Sequence, residues 1–425
     1  MRTSRSLRVG LITRSALVGL GAAFSAACQD SPPKRGQIQV SEVDSSGITV
    51  ITITGDVSTL PVWEVSAEPV AEVSGNEPPF LGSIGEVEFF RDGAFLVEDN
   101  QTDELRLFDS TGGLVRLIGG AGSGPGEFRN LTELNVLPGD TFVTYDRRLY
   151  RISVFDPDGE LMKTVTLTRE GEGRSTLALD AWGLGPERFL LHRLSPWDSS
   201  SSISLPRRDQ RDAVLFPLNG VGDVDGSPIR FTGGYSVEGE HGDAGSPFAN
   251  RPIIVVNSGR LVYGSGLDYE LTVSSDELRA RRIIRWGGWK RPLTAEILHD
   301  IRTRFETGWE EFRAAQPDLV ERLVEALFSP EILPDTLPVL GPAFLDDAGR
   351  LWVSRFIPSV FRWGEEDSWH VLDVDGRPQA MIRLPPDAQL VAVSGDRIAL
   401  LIRDSLDVEH LRVYRIPEAE LRPDS

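Results

Sequence analysis

Gly93-Ala94-Phe95-Leu96-Val97-Glu98-Asp99 and Asp140-Thr141-Phe142-Val143-Thr144-Tyr145-Asp146 read as one short strand and its leading turn, written twice. Leu105-Arg106-Leu107-Phe108-Asp109-Ser110-Thr111-Gly112 and Ile152-Ser153-Val154-Phe155-Asp156-Pro157-Asp158-Gly159 follow them in the same order. Phe95 to Phe142, Asp99 to Asp146, Phe108 to Phe155 and Asp109 to Asp156 all share an offset of 47. A constant offset over matched positions marks an internal repeat, and this period is that of sheets stacked radially as blades.

Working outward, the first unit predicts four strands, at Ile84–Phe90, Ala94–Glu98, Glu104–Phe108 and Leu114–Ile118, parted by Asp/Gly turns. Short β-branched runs broken by such turns every 8 to 12 residues specify an all-β fold. The second unit runs from Glu127 to Leu167, and four further units follow with more decoration. The last, Leu390–Val393, Ile398–Ile402 and His410–Tyr414, has only three strands. Val70-Ala71-Glu72-Val73-Ser74-Gly75 looks like the blade-ending Leu114-Val115-Arg116-Leu117-Ile118-Gly119 and supplies the fourth. A terminal strand that closes the ring removes the open edges on which chains aggregate. The expected fold is a six-bladed β-propeller over 60–417, preceded by an extra hairpin at 37–59 and followed by a tail at 418–425.

The linker Gly119-Gly120-Ala121-Gly122-Ser123-Gly124-Pro125-Gly126-Glu127-Phe128 resembles the junction between NHL repeats. With Phe155-Asp156-Pro157-Asp158-Gly159, it makes the chain similar to six-bladed propeller lipoproteins of the NHL type. The glycines permit positive φ where one blade crosses to the next. No Lys-Ser/Thr follows and no helix begins, so the linker is not a phosphate loop.

At the start of the chain, Arg2, Arg5, Arg8 and Arg14 precede or enter an apolar stretch, Ser15 to Ala27, that lacks acidic residues. This is the pattern of a secretory signal over 1–27, and it is too short to span a bilayer. Ser25-Ala26-Ala27-Cys28 resembles a lipobox, with Ser25 where Leu is usual. Cys28 is the only cysteine, so no internal disulfide forms, and its position at the cleavage junction accounts for it as a lipid attachment site. Residues 28–36 then form a tether to the membrane. The expected location is the bacterial cell envelope, on its periplasmic or surface side. The formal charge of −20 becomes −24 without the four N-terminal arginines. With no basic cluster, nucleic acid is not an expected partner.

Chemistry is sparser. The five histidines, His192, His241, His299, His370 and His410, show no pair at metal-ligand spacing. His241, in Glu238-Gly239-Glu240-His241-Gly242-Asp243, is the one with other potential ligands beside it. Glu127 begins an inner strand near the channel mouth. No Gly-x-Ser-x-Gly elbow is present, so a nucleophilic triad has no starting point. Three insertions, Ser195–Arg211, Gly233–Ala249 and Gly287–Gly341, fall on one face, where loops on a rigid scaffold build binding sites. The last is helical at about 293–330, between blades four and five. Ile297, Ile301, Phe305, Trp309 and Phe312 make one stripe, and Asp318 with Glu321 predicts a capping box for a second helix.

These readings predict a non-catalytic, membrane-anchored propeller that binds a small molecule, glycan or protein on its decorated face, with Glu127, His241 and Trp309 as candidate contacts. The alternative is a propeller enzyme, a lactonase-like hydrolase or a lyase, with a divalent metal in the channel. The sequence itself requires no cofactor.

Overall fold

The computed structural model describes residues 36–74, 80–168, 178–194, 207–239, 242–243, 246–361, 367–417 and 421. The signal segment, Cys28 and His241 lie outside them. The chain forms six antiparallel sheets arranged as blades. Blade one is Ile84–Phe89, Phe95–Asp99, Glu104–Phe108 and Leu114–Gly119. Blade two is Leu131–Val136, Phe142–Asp146, Arg151–Phe155 and Leu161–Thr166. Blade three is Ala178–Gly185, Arg188–Leu194, Arg207–Asn219 and Ile229–Gly239, with a two-residue strand at its outer edge. Blade four is Ile253–Asn257, Arg260–Gly264, Glu270–Ser274 and Ala280–Trp286. Blade five is Leu340–Leu345, Leu351–Arg355, Asp367–Leu372 and Pro378–Leu384.

Blade six combines both ends of this region. Ala388–Ser394, Arg397–Arg403 and Glu409–Arg415 are joined by Ala71–Ser74, paired through Leu411 with Val73 and Val413 with Ala71. Ala71 and Val73 are buried, and Arg412 Nε meets Glu72 at 3.1 Å on the outside. Neighbouring inner strands contact one another around the ring, so the channel is closed.

The repeat has a packing cause. Phe95 stacks on Phe108 with centroids 5.4 Å apart, and Phe142 on Phe155 at 5.0 Å, one pair inside each blade. Cores then form between blades: Leu96, Leu105 and Ile118 of the first meet Leu134, Phe142 and Phe155 of the second. Burying both faces of every sheet in this way is what radial stacking achieves.

The repeated aspartates hold the linkers. Asp99 ends the second strand of blade one, fully buried, and accepts from the Gly82, Ser83 and Gln101 amides at 3.2, 3.3 and 3.1 Å and from Arg106 at 2.7 Å. Asp146 accepts from the Arg129, Asn130 and Leu149 amides at 2.6, 3.1 and 2.7 Å. Arg151 reaches back to the carbonyls of Ser123 and Glu127, so linker and blade are tied twice. The linker folds on itself, with the Phe128 amide donating to Gly120 O at 2.9 Å and its ring buried. Gly119 at φ +82 turns this corner, and a methyl there would strike the Phe128 ring. A second aspartate series, Asp109, Asp156 and Asp373, accepts backbone amides across the turn between third and fourth strands.

The N-terminal hairpin, Gln39–Ser45 with Ile48–Thr54, adds in parallel to the outer strand of blade four and buries Ile51 and Ile53 against it. Two insertions differ from expectation. Parts of 195–211 and 233–249 are strand, because the outer hairpin of blade three continues its ladder as far as Arg207 paired with Glu238. The helical insertion has three helices instead of two: α1 Ala295–Gly308, α2 Glu310–Ala315 and α3 Pro317–Leu327. The stripe is interrupted at Gly308-Trp309, where Trp309 leaves helical geometry. The Asp318–Glu321 capping box does not form, because Pro317 starts α3 and places Asp318 inside the first turn. Ile301, Phe305, Val324 and Leu327 pack onto Phe248 and Phe356, so the helices cover loops of blades three to five. No helix among the described residues is long and apolar enough to cross a membrane.

Candidate functional site

Each inner strand starts where its neighbour ends, as in Ile84 opposite Asp99, Leu131 opposite Asp146 and Ala178 opposite Arg193. That end of the blades carries the linkers and the large insertions. Just inside it, Glu86, Glu133 and Asp180 occupy one register on the inner strands of blades one to three, each two residues past Ile84, Leu131 and Ala178. Pairing shifts at or beside each of them, and such bulges re-aim side chains. The inner strands of blades four to six, Ile253–Asn257, Leu340–Leu345 and Ala388–Ser394, carry no charged residue. The acidic residues of the inner strands therefore lie on blades one to three alone, with Arg251 just ahead of the inner strand of blade four.

The carboxyl groups act on each other. Burial, then the charge of Asp180, raises Glu86 to about 7 against the pull of Arg251. Glu86 is crowded by protein yet its side chain remains exposed to solvent. Burial and then Glu86 raise Glu88 to about 8. Glu98, on the second strand, rises to about 7, chiefly by burial, while its Oε2 accepts the Glu86 amide at 3.0 Å. Glu133 rises well above the usual range through burial and then through Asp180 and Glu86, opposed by a hydrogen bond from Trp182. Groups on three blades feel one another only because the inner strands converge on the axis.

Asp180 has a second partner. His192, buried on the neighbouring strand, places Nδ1 3.2 Å from Asp180 Oδ2, and its buried Nε2 has no partner among the described residues. The arrangement offers several acceptors to a cationic or hydrogen-bond-donating group, and an oriented imidazole beside them. Among the described residues, no group of three or more His, Cys, Asp or Glu is spaced to hold a metal ion.

The residues singled out from sequence lie elsewhere. Glu127 is exposed and accepts the Gly124 amide at 2.7 Å, closing the linker turn. Trp309 is half-buried at the end of α1, between Phe305 and Phe312 at 6.0 and 5.4 Å. Neither is brought to the carboxyl cluster or to the other. The cluster itself was within reach of the repeat. Glu86, Glu133 and Asp180 are spaced by 47, as are Phe95, Phe142 and Phe189, so the register carries into blade three. The signal fades there because the turn residues that flank it have changed.

A family model described as a 6-bladed beta-propeller matches residues 76–170. The chain is a six-bladed β-propeller. Among solved structures, a putative exported protein from Bacteroides fragilis is 12% identical with a TM-score of 0.48, covering 87% of this chain and 100% of its own. A member of the DUF4221 family from Bacteroides vulgatus is 13% identical with a TM-score of 0.48, covering 90% of this chain and 99% of its own. A gluconolactonase from Xanthomonas campestris is 12% identical with a TM-score of 0.39, covering 84% and 99%. Among curated proteins none matches.

Proposed function

We propose that this propeller, of the NHL-repeat type, is exported, lipid-anchored through Cys28, and binds a small cationic molecule without transforming it, at the decorated-face end of its channel. The observation that carries this reading is the acidic register Glu86, Glu133 and Asp180 on three consecutive inner strands, facing three that are uncharged. Crowded carboxyls oppose folding, and groups held so far from their ordinary pKa are typical of functional sites. A channel needed only for packing is better served by apolar or amide side chains. Net negative charge on the chain also favours a cationic ligand at long range.

The test is titration calorimetry with quaternary ammonium and guanidinium compounds, whose charge is constant over the range examined. At pH 9, where Glu86 is ionised, Glu86→Gln is expected to weaken binding by about tenfold, one lost charge-assisted contact, while Glu160→Gln on the exposed turn of blade two leaves it unchanged. In the wild type, affinity rises from pH 6 to pH 9, because Glu86 and Glu98 at about 7 and Glu88 at about 8 ionise over that interval. Equal binding of anions, or no cation binding at any pH, would reject the reading. For the anchor, Cys28→Ser is expected to move the protein from the membrane fraction to the soluble fraction on cell fractionation.

The enzyme alternative has one observation in its favour, the Asp180–His192 pair with a buried, unpartnered Nε2. A carboxylate on Nδ1 orients an imidazole as a general base. Turnover of a bound compound that is lost in His192→Gln while binding persists would establish that reading over simple binding.

A further inference from the structure

A cavity of about 730 Å³ opens on the decorated face at blade four. One wall is Phe231 against Tyr263, centroids 4.9 Å apart and both half-buried. The other is Trp289, half-buried, backed by Tyr269 and Trp286 at 5.4 Å each. Gly288, at φ +88 with open space around it, turns the chain after blade four so that Trp289 folds back over Tyr269. Behind Trp289 lies buried His370, 4.6 Å away, held neutral at about 4 by burial and then by Arg355. The rings are thus fixed from behind while half-open in front.

The rim is polar and balanced. Glu270 meets Arg285 at 2.6 Å, and Asp268 meets Lys290 at 2.8 Å, all four side chains about half exposed or more. Two acids against two bases leave the cavity without net charge. Aromatic faces with a ring of carboxylate, guanidinium and ammonium groups match a ligand with flat C–H faces and hydroxyls along its edge. The volume lies in the range of small-ligand sites. A cationic ligand finds each carboxylate already paired here, in contrast to the channel.

We propose that this cavity is a second binding site, independent of the channel, that takes a neutral oligosaccharide stacked between Trp289 and the Tyr263–Phe231 wall. Sugar hydroxyls exchange with the exposed lobes of the two ion pairs, and the rings take the C–H faces.

The test uses the full chain with cellotriose, maltotriose and fully N-acetylated chitotriose, following tryptophan fluorescence and saturation transfer to sugar C–H protons. At least one trisaccharide is expected to bind. Trp289→Ala and Glu270→Gln are each expected to weaken it by about tenfold or more, and Glu86→Gln in the channel to leave it unchanged. Glu270 is exposed, so its variant reads the site even where Trp289→Ala disturbs folding. Affinity is expected to stay flat from pH 6 to pH 9, unlike cation binding in the channel. Binding of no trisaccharide, binding untouched by Glu270→Gln, or preference for aromatic peptides over sugars would overturn the proposal and leave the channel reading standing.

Discussion

Replacing Asp146 by alanine is expected to cost about 4 kcal/mol of stability, a severe loss for a single position. Asp146 is 2% exposed, and its carboxylate accepts three backbone amides, those of Arg129, Asn130 and Leu149. Alanine leaves these donors buried with no acceptor, at about 1–3 kcal/mol each before relaxation. Water entering from the linker side moderates the sum. Asp146→Asn keeps one acceptor oxygen and is expected to lose less than half as much. Urea unfolding of both variants measures this, and a loss under about 1 kcal/mol for the alanine variant would show that the linker is not held by this carboxylate. The result also bears on the ring, because Arg129 and Asn130 lead directly into the inner strand that carries Glu133.

Glu88→Gln is expected to have the opposite sign. Burial and the neighbouring Glu86 raise its folded value to about 8, far above that of an unfolded chain. At pH 4 both states hold the proton and the group makes no difference. As pH rises past the ordinary glutamate value, the unfolded chain ionises while the folded one stays protonated, so wild-type stability falls until pH passes about 8. Glutamine never ionises and escapes this loss. Allowing for screening by channel water, the variant is expected to be more stable than wild type by about 2 kcal/mol at pH 8 and equal to it at pH 4. Thermal melts should show a midpoint raised by roughly 2–4 °C at the higher pH alone. Equal midpoints at both pH values would mean that Glu88 is not strained in the folded protein, and would remove one support for a functional channel.

A stabilising Glu88→Gln would show that the channel is organised at a cost to the fold. Charges of one sign on three adjacent strands are tolerated when a ligand neutralises them. Such a ligand should therefore stabilise the wild type more at pH 8 than at pH 6. The aromatic cavity at blade four makes no such demand, since its charges are already paired within the rim.

The sequence by itself determined the blade, the ring and its closure. Phe95, Asp99, Phe108 and Asp109 repeat because the first two blades share the same stacked pair, the same linker clamp and the same turn, and local chemistry of that kind is written into consecutive residues. Val73 was legible as a closing strand because its alternation copies that of a blade end. The sites were not legible to the same degree. Glu86, Glu133 and Asp180 keep the 47-residue spacing, yet only the closed ring turns three separate strands toward one axis and lets their charges meet. His192 follows nothing distinctive in sequence and gains its partner from the register that sets it opposite Asp180. Trp289 and Tyr263 are 26 residues apart in sequence and line one cavity only once blade four is folded. Repetition is a local property and survives in one dimension, while convergence of side chains from different blades exists only once the ring has closed.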